Sequence, residues 1–136
     1  MEYNGSERRA CNRIKIPGAT VSCKKRYFFF SKKKYVEEYH PVIEISRGGI
    51  RFLEQKLITA TTKITMKISI PEEDSPLIIK GRVRWTSLNP TMSYKYQVGV
   101  QFNPYGKKKG DNHPEILERI TALEQKFLAN NNSKTH

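Results

Sequence analysis

Hydrophobic and polar residues alternate along most of this chain with a period of two, and the period changes only once, near the end. Over 62–70 the alternation is clean, with Ile64, Met66, Ile68 and Ile70 on one side and Lys63, Thr65, Lys67 and Ser69 on the other. Successive side chains of a strand point to opposite faces, so this stretch predicts a half-buried antiparallel strand. The pattern recurs over 77–86, with Ile79, Val83 and Trp85 inward and Lys80, Arg82 and Arg84 outward. It recurs again over 94–102, where Tyr94, Tyr96, Val98, Val100 and Phe102 make the longest stripe. Gly99 falls on the opposite face, a place where a neighbouring backbone can come close.

The front half is less regular. Ile14, Ile16, Val21 and Cys23 predict a strand from Arg13 onward, interrupted by a kink or bulge at Pro17-Gly18. A second strand is expected over 36–45, with Pro41 near its start or at an edge, and a short one over 50–53, where Ile50 and Phe52 share a face. The acidic run from Pro71 to Pro76 and the Asn89-Pro90 pair mark turns. About six strands with no helix between them predict a mainly β fold, a small closed or nearly closed antiparallel barrel. After a basic loop over 103–112, expected to be flexible, the period becomes helical. Pro114 suits a first helical position, Glu115 and Glu118 favour the positive end, and Ile116, Leu117, Ile120, Leu123 and Phe127 fall on one stripe. One C-terminal amphipathic helix over 114–129 follows, packed on the barrel or offered to a partner. The expected division is a flexible basic arm over 1–12, a barrel plus helix over 13–129, and a disordered tail over 130–136.

A chain of 136 residues makes one domain with a real core. No apolar run approaches the roughly 18 residues of a membrane span, and the polar N-terminus has no signal-peptide pattern, so the cytoplasm is the expected location. Cys11 and Cys23 lack metal-ligand spacing, and His40, His113 and His136 are scattered, two of them beside prolines. Neither a disulfide nor a metal site is expected, and the histidines read as loop or boundary residues.

Charge sharpens the picture. Of the formal +12, residues 1–35 carry ten basic against two acidic side chains, a net of +8, and the remaining fifteen against eleven give +4. Such a field attracts a polyanion. Lys32–Lys34 and Lys107–Lys109 read as solvated loops. Arg8, Arg9 and Arg13 are different, because they sit on a short polar segment with little to fold around. A guanidinium fork donates paired hydrogen bonds to the O6/N7 edge of guanine or to a phosphate, and its face stacks on a purine. Some thirty residues on, Glu44 offers a carboxylate for the base's N–H groups and Ser46 a hydroxyl. Arg47, Gly48 and Gly49 offer backbone N–H groups that can approach a phosphate.

Arg9-x-x-x-Arg13, with Arg8 as an extra arginine, and Glu44-x-Ser46-x-x-Gly49 resemble the RxxxR and [D/N]xSxxG motifs of the PilZ family of bacterial cyclic di-GMP receptors. Glu44 departs from the family pattern by one methylene. Gly81-Arg82-Val83-Arg84-Trp85 and 96–102 are similar to that family's last two barrel strands, so the resemblance covers roughly the whole domain. It implies a six-stranded PilZ-type barrel that binds cyclic di-GMP through Arg8, Arg9, Arg13, Glu44, Ser46, Arg47, Gly48 and Gly49, with the arm folding over the ligand to offer a new surface to a downstream protein. No catalytic constellation or metal cofactor is expected. Two alternatives stay open: a PilZ-fold adaptor that binds no ligand, and a basic barrel binding single-stranded nucleic acid on the aromatics Tyr27-Phe28-Phe29-Phe30. The separation of arginines and aromatics in sequence disfavours the second.

Overall fold

A computed structural model of the chain describes residues 12–26, 33–35, 38–90 and 93–134. The alternating stretches become the strands β1 (Thr20–Arg26), β2 (Lys33–Tyr35), β3 (His40–Ile45), β4 (Gly49–Glu54), β5 (Lys63–Ser69), β6 (Leu77–Leu88) and β7 (Tyr96–Phe102), and helix α1 (Pro114–Lys134) follows. Neighbours in the order β1-β3-β4-β7-β6-β5 pair antiparallel, and β5 pairs back on β1 through Val21–Ile68 and Cys23–Met66. That last pairing closes a six-stranded barrel and leaves it no free edge. The short β2 extends β1 beside the ring, pairing Lys25 with Lys34. Lys33 and Lys34 therefore lie in a strand and not in a solvated loop, while Lys107–Lys109 are exposed in theirs. The aromatics at 27–30 lie outside the described residues.

Period two decides the core. Met66, Ile68, Leu77, Ile79, Val83, Val98 and Phe52 are fully buried, each on the inward face of its strand. Ile14 joins them through a bridge to Ile45 ahead of the Pro17-Gly18 turn, where Gly18 takes a positive φ of 80°.

The pairing shifts by one residue in two places, and both shifts re-aim side chains. On β3 the shift falls between Val42, opposite Phe52, and Glu44, opposite Arg51. Ile45 thus points inward and Glu44 outward, where an unbroken period would have placed Glu44 on the core side with His40 and Val42. On β6 the shift falls between Val83, opposite Val100, and Trp85, opposite Gly99. Trp85, expected inward, stands on the outer wall and is 41% exposed. One extra residue, Arg84, is the reason: it turns the rest of the strand over.

The helix starts at Pro114, and the His113 ring caps it, its Nδ1 accepting from the Glu115 N–H at 3.1 Å. Ile120 and Leu123 are buried against the barrel, with Ile116 and Phe127 partly so. The helix runs on to Lys134 where an end at Ala129 was expected, so 130–134 are helical. Arg119 ties it to the turn after β5, donating to the carbonyls of Ser75 at 2.6 Å and Pro76 at 3.2 Å. The 103–112 loop, expected to be flexible, is anchored by the buried Asn112. Its side-chain oxygen accepts from the Lys80 N–H at 2.7 Å, and its amide donates to the carbonyls of Lys80 and Asn103 at 2.9 and 3.0 Å. No described helix is long and apolar enough to cross a membrane.

Candidate functional site

The β3–β4 turn is closed locally. The Ser46 N–H donates to the Gly49 carbonyl at 2.8 Å, and the Ser46 Oγ accepts from the Gly48 N–H at 3.2 Å. Gly49 is required by the sheet, because a Cβ there would strike the Val100 carbonyl of β7, whereas Gly48 opens onto empty space. The outward shift of Glu44 then sets it opposite Arg51, and Arg51 lies across from Gly99. The Trp85 indole lies directly on Gly99, where any Cβ would collide with its ring. A side chain, and not a neighbouring backbone, is what Gly99 admits.

These residues floor an open cavity of about 550 Å³ on the outer wall, with Arg13 and Arg84 at its sides. Three arginines face one carboxylate, so the cavity is electropositive. Arg13 Nη1 is 3.6 Å from Glu44 Oε1, and Arg51 Nη2 is 3.4 Å from the same oxygen. The Arg13 side chain is 73% exposed, so water screens this contact and it adds little stability. The Nε of Arg51 is buried and has no hydrogen-bond partner among the described residues, a donor whose desolvation costs about 1–3 kcal/mol until an acceptor meets it. The chemistry available is binding: guanidinium forks for acceptors and anions, an indole face for stacking, and a single carboxylate for donors.

Arg47 turns the other way. It donates to the buried Glu124 of α1, Nε to Oε2 at 3.2 Å and Nη2 to Oε1 at 3.4 Å, and Asn12 Nδ2 donates to the same Oε1 at 2.9 Å. One helix carboxylate thereby holds both the end of the arm and the turn. Tyr105 adds a bond from its hydroxyl to the Arg47 carbonyl at 2.6 Å. Burial pushes the pKa of this phenol upward, against the opposing pull of the Arg47 guanidinium.

Of the residues expected at the site, Arg13, Glu44, Ser46, Gly48 and Gly49 line one cavity. Arg47 does not line it, its side chain being turned to Glu124, and Arg8 and Arg9 lie outside the described residues. Arg51, Arg84, Trp85 and Gln101 also line the cavity and are not among the residues expected there. Arg51 and Gln101 could have been found, since each alternates with inward neighbours, Ile50 and Phe52 or Val100 and Phe102. Trp85 could not, because a bulge leaves no mark on the hydrophobic period.

The family model described as PilZ domain matches residues 7–116 of the chain. A search of curated proteins finds no relative that matches. Among solved structures, the PilZ domain with c-di-GMP of YcgR from Escherichia coli superposes with a TM-score of 0.63 at 11% identity, covering 94% of this chain and 97% of that one. YcgR in complex with c-di-GMP gives 0.67 at 11% identity, with 95% and 50% covered. The K. pneumonia MrkH–c-di-GMP complex gives 0.62 at 14% identity, with 98% and 56% covered. The chain thus spans about half the length of MrkH and of the longer YcgR chain, and at such identity the likeness is one of fold. The family match over most of the chain, on a six-stranded barrel of the same fold, means that this chain belongs to the PilZ domain family.

Proposed function

We propose that the domain is a receptor for cyclic di-GMP, bound on the outer wall between the β3–β4 turn and the Trp85 indole. The observation that carries this reading is the convergence of Arg13, Arg51 and Arg84 around a stacking face beside the motif turn, in a cavity of about 550 Å³. It draws further support from family membership and from the ligand named with YcgR and MrkH. One guanine stacks on Trp85, and its edge and the phosphates take the guanidiniums of Arg13 and Arg51, with Arg8 and Arg9 of the arm closing over the other side. Glu44 releases Arg13 to the ligand, since their contact is loose and solvated. The shift at Arg13 reaches α1 through its neighbour Asn12 and the Glu124 carboxylate, so that arm, ligand and helix present a changed surface to a partner protein. The protein is a switch and catalyses nothing.

Calorimetry of the chain with cyclic di-GMP, with GMP and a linear dinucleotide as controls, tests this. Saturable binding of the cyclic dinucleotide at one or two sites, with weak control heats, is the expected result. Absence of heat from all three overturns it in favour of a ligand-free adaptor, a reading to which Glu44 lends weight by already holding Arg13 and Arg51. Uptake of oligonucleotides that grows with length and falls steeply with salt would instead support a nucleic-acid barrel.

A further inference from the structure

We infer that the barrel carries a second site, for zinc or a similar divalent transition metal, at the base of the β3–β4 hairpin, with Glu38, His40 and Glu54 as ligands. His40 Nε2 lies 3.3 Å from Glu38 Oε2 and 3.2 Å from Glu54 Oε2, and the three donor atoms lie within 4.8 Å of one another. Zinc bonds of about 2.0–2.2 Å to nitrogen and oxygen place tetrahedral donors roughly 3.3–3.6 Å apart. Two edges of such a tetrahedron are therefore already close to the spacing a metal would impose.

The donor set favours a cation at this point. One imidazole nitrogen carries at most one hydrogen and cannot donate it well to two carboxylates at once. His40 and Glu54 are 6% and 5% exposed, so water does little to solvate that pair, while the half-exposed Glu38 closes the cluster on its solvent side. A divalent cation bound between them neutralises both carboxylates and accepts the imidazole lone pair. Glu54 is also oriented as a ligand would be. Its Oε1 accepts the backbone N–H groups of Gln55 at 3.0 Å and Lys56 at 3.2 Å, leaving Oε2 to face His40.

The three ligands border a cavity of about 230 Å³ whose walls include Cys23, Leu57 and Ile58. A metal here keeps its fourth position open toward that space, for water or a small ligand. Two carboxylates and one imidazole are too few oxygens for calcium, and the imidazole suits zinc better than magnesium. Sequence spacing concealed the set, because Glu38-x-His40 and Glu54 match no metal motif. His40 does open a strand, as a boundary residue should, yet it is buried and ligates by geometry. The site does not depend on nucleotide binding, which uses the other end of the hairpin.

Stripping the full chain with a chelator and titrating zinc against a chromophoric indicator tests the proposal, with cobalt(II) as a spectroscopic stand-in. One equivalent of zinc should bind, the thermal midpoint should rise with zinc, and the cobalt form should show the intense visible bands of tetrahedral coordination. His40→Ala should weaken zinc binding by more than about tenfold, a loss at least as large as that from removing an outer-sphere partner. Glu38→Gln should do the same, and because Glu38 is half-exposed this variant keeps the fold testable. Cyclic di-GMP binding should be unchanged in Glu38→Gln. Failure to take up one equivalent, or equal uptake by the parent and both variants, overturns the proposal and leaves a histidine–carboxylate ion pair only.

Discussion

At its turn, the β3–β4 hairpin holds the Glu44 carboxylate between the guanidiniums of Arg13 and Arg51, at 3.6 and 3.4 Å, on an open wall. At its base it holds the His40 imidazole between the carboxylates of Glu38 and Glu54, at 3.3 and 3.2 Å, against the core. The two clusters are near mirror images in charge, and water separates their behaviour. Charges on the wall interact through a high effective dielectric and exchange partners at little cost, which suits a reversible ligand. At the base His40 and Glu54 are desolvated, so losing one strands the other, and only Glu38 reaches water. One pair of strands thus carries a solvated end ready to rearrange and a largely buried end held in place.

The variant that tests the strands themselves has the largest expected effect. Phe52, fully buried between the two ends, should cost about 3–5 kcal/mol when changed to alanine, and both nucleotide and zinc binding should fall with the fold; urea unfolding that moves by under about 1 kcal/mol would show that the ends do not share this core.

Next comes Arg13→Ala, and with it Arg9→Ala, each expected to weaken cyclic di-GMP at least tenfold by calorimetry, given about 1.5–3 kcal/mol per charged hydrogen bond. Zinc uptake should be unaltered in both, and a matching loss there would break the independence of the two ends. Trp85→Ala should weaken cyclic di-GMP by about 1 kcal/mol, the low end of base–aromatic stacking, because one face of the half-exposed indole is already spent on Gly99. Unchanged affinity in that variant would remove the stacking face from the site. The smallest effect belongs to Glu44→Asp, which restores the family's shorter carboxylate. Cyclic di-GMP affinity should change by less than about threefold, under 1 kcal/mol, if the contact of Glu44 with Arg13 is as labile as the exposure of Arg13 implies; a large gain would mean that the longer side chain obstructs the ligand.

Much of this molecule can be read without coordinates. The stripe Ile64, Met66, Ile68 and Ile70 and the stripe Val98, Val100 and Phe102 predict their strands and inward faces correctly, because burial on one side of a barrel imposes a strict period. The helix stripe and its Pro114 start are equally legible, and the motif residues Arg13, Glu44, Ser46 and Gly49, singled out from the sequence as a candidate site, line one cavity. The strand and helix stripes are local, encoded within a few residues of each other.

What lay beyond the sequence depends on register and on chain reversal. Two one-residue shifts turned Glu44 and Trp85 onto the outer wall, and neither changes the hydrophobic pattern that a reader sees. Glu124, over a hundred residues from Asn12, became the partner of the arm only because α1 folds back across the barrel. Glu38, His40 and Glu54 met only because antiparallel pairing brings the start of β3 opposite the end of β4. Period and turn chemistry are properties of neighbours along the chain and so are written in it, whereas side-chain clusters are properties of neighbours in space, which barrel closure and strand register alone select.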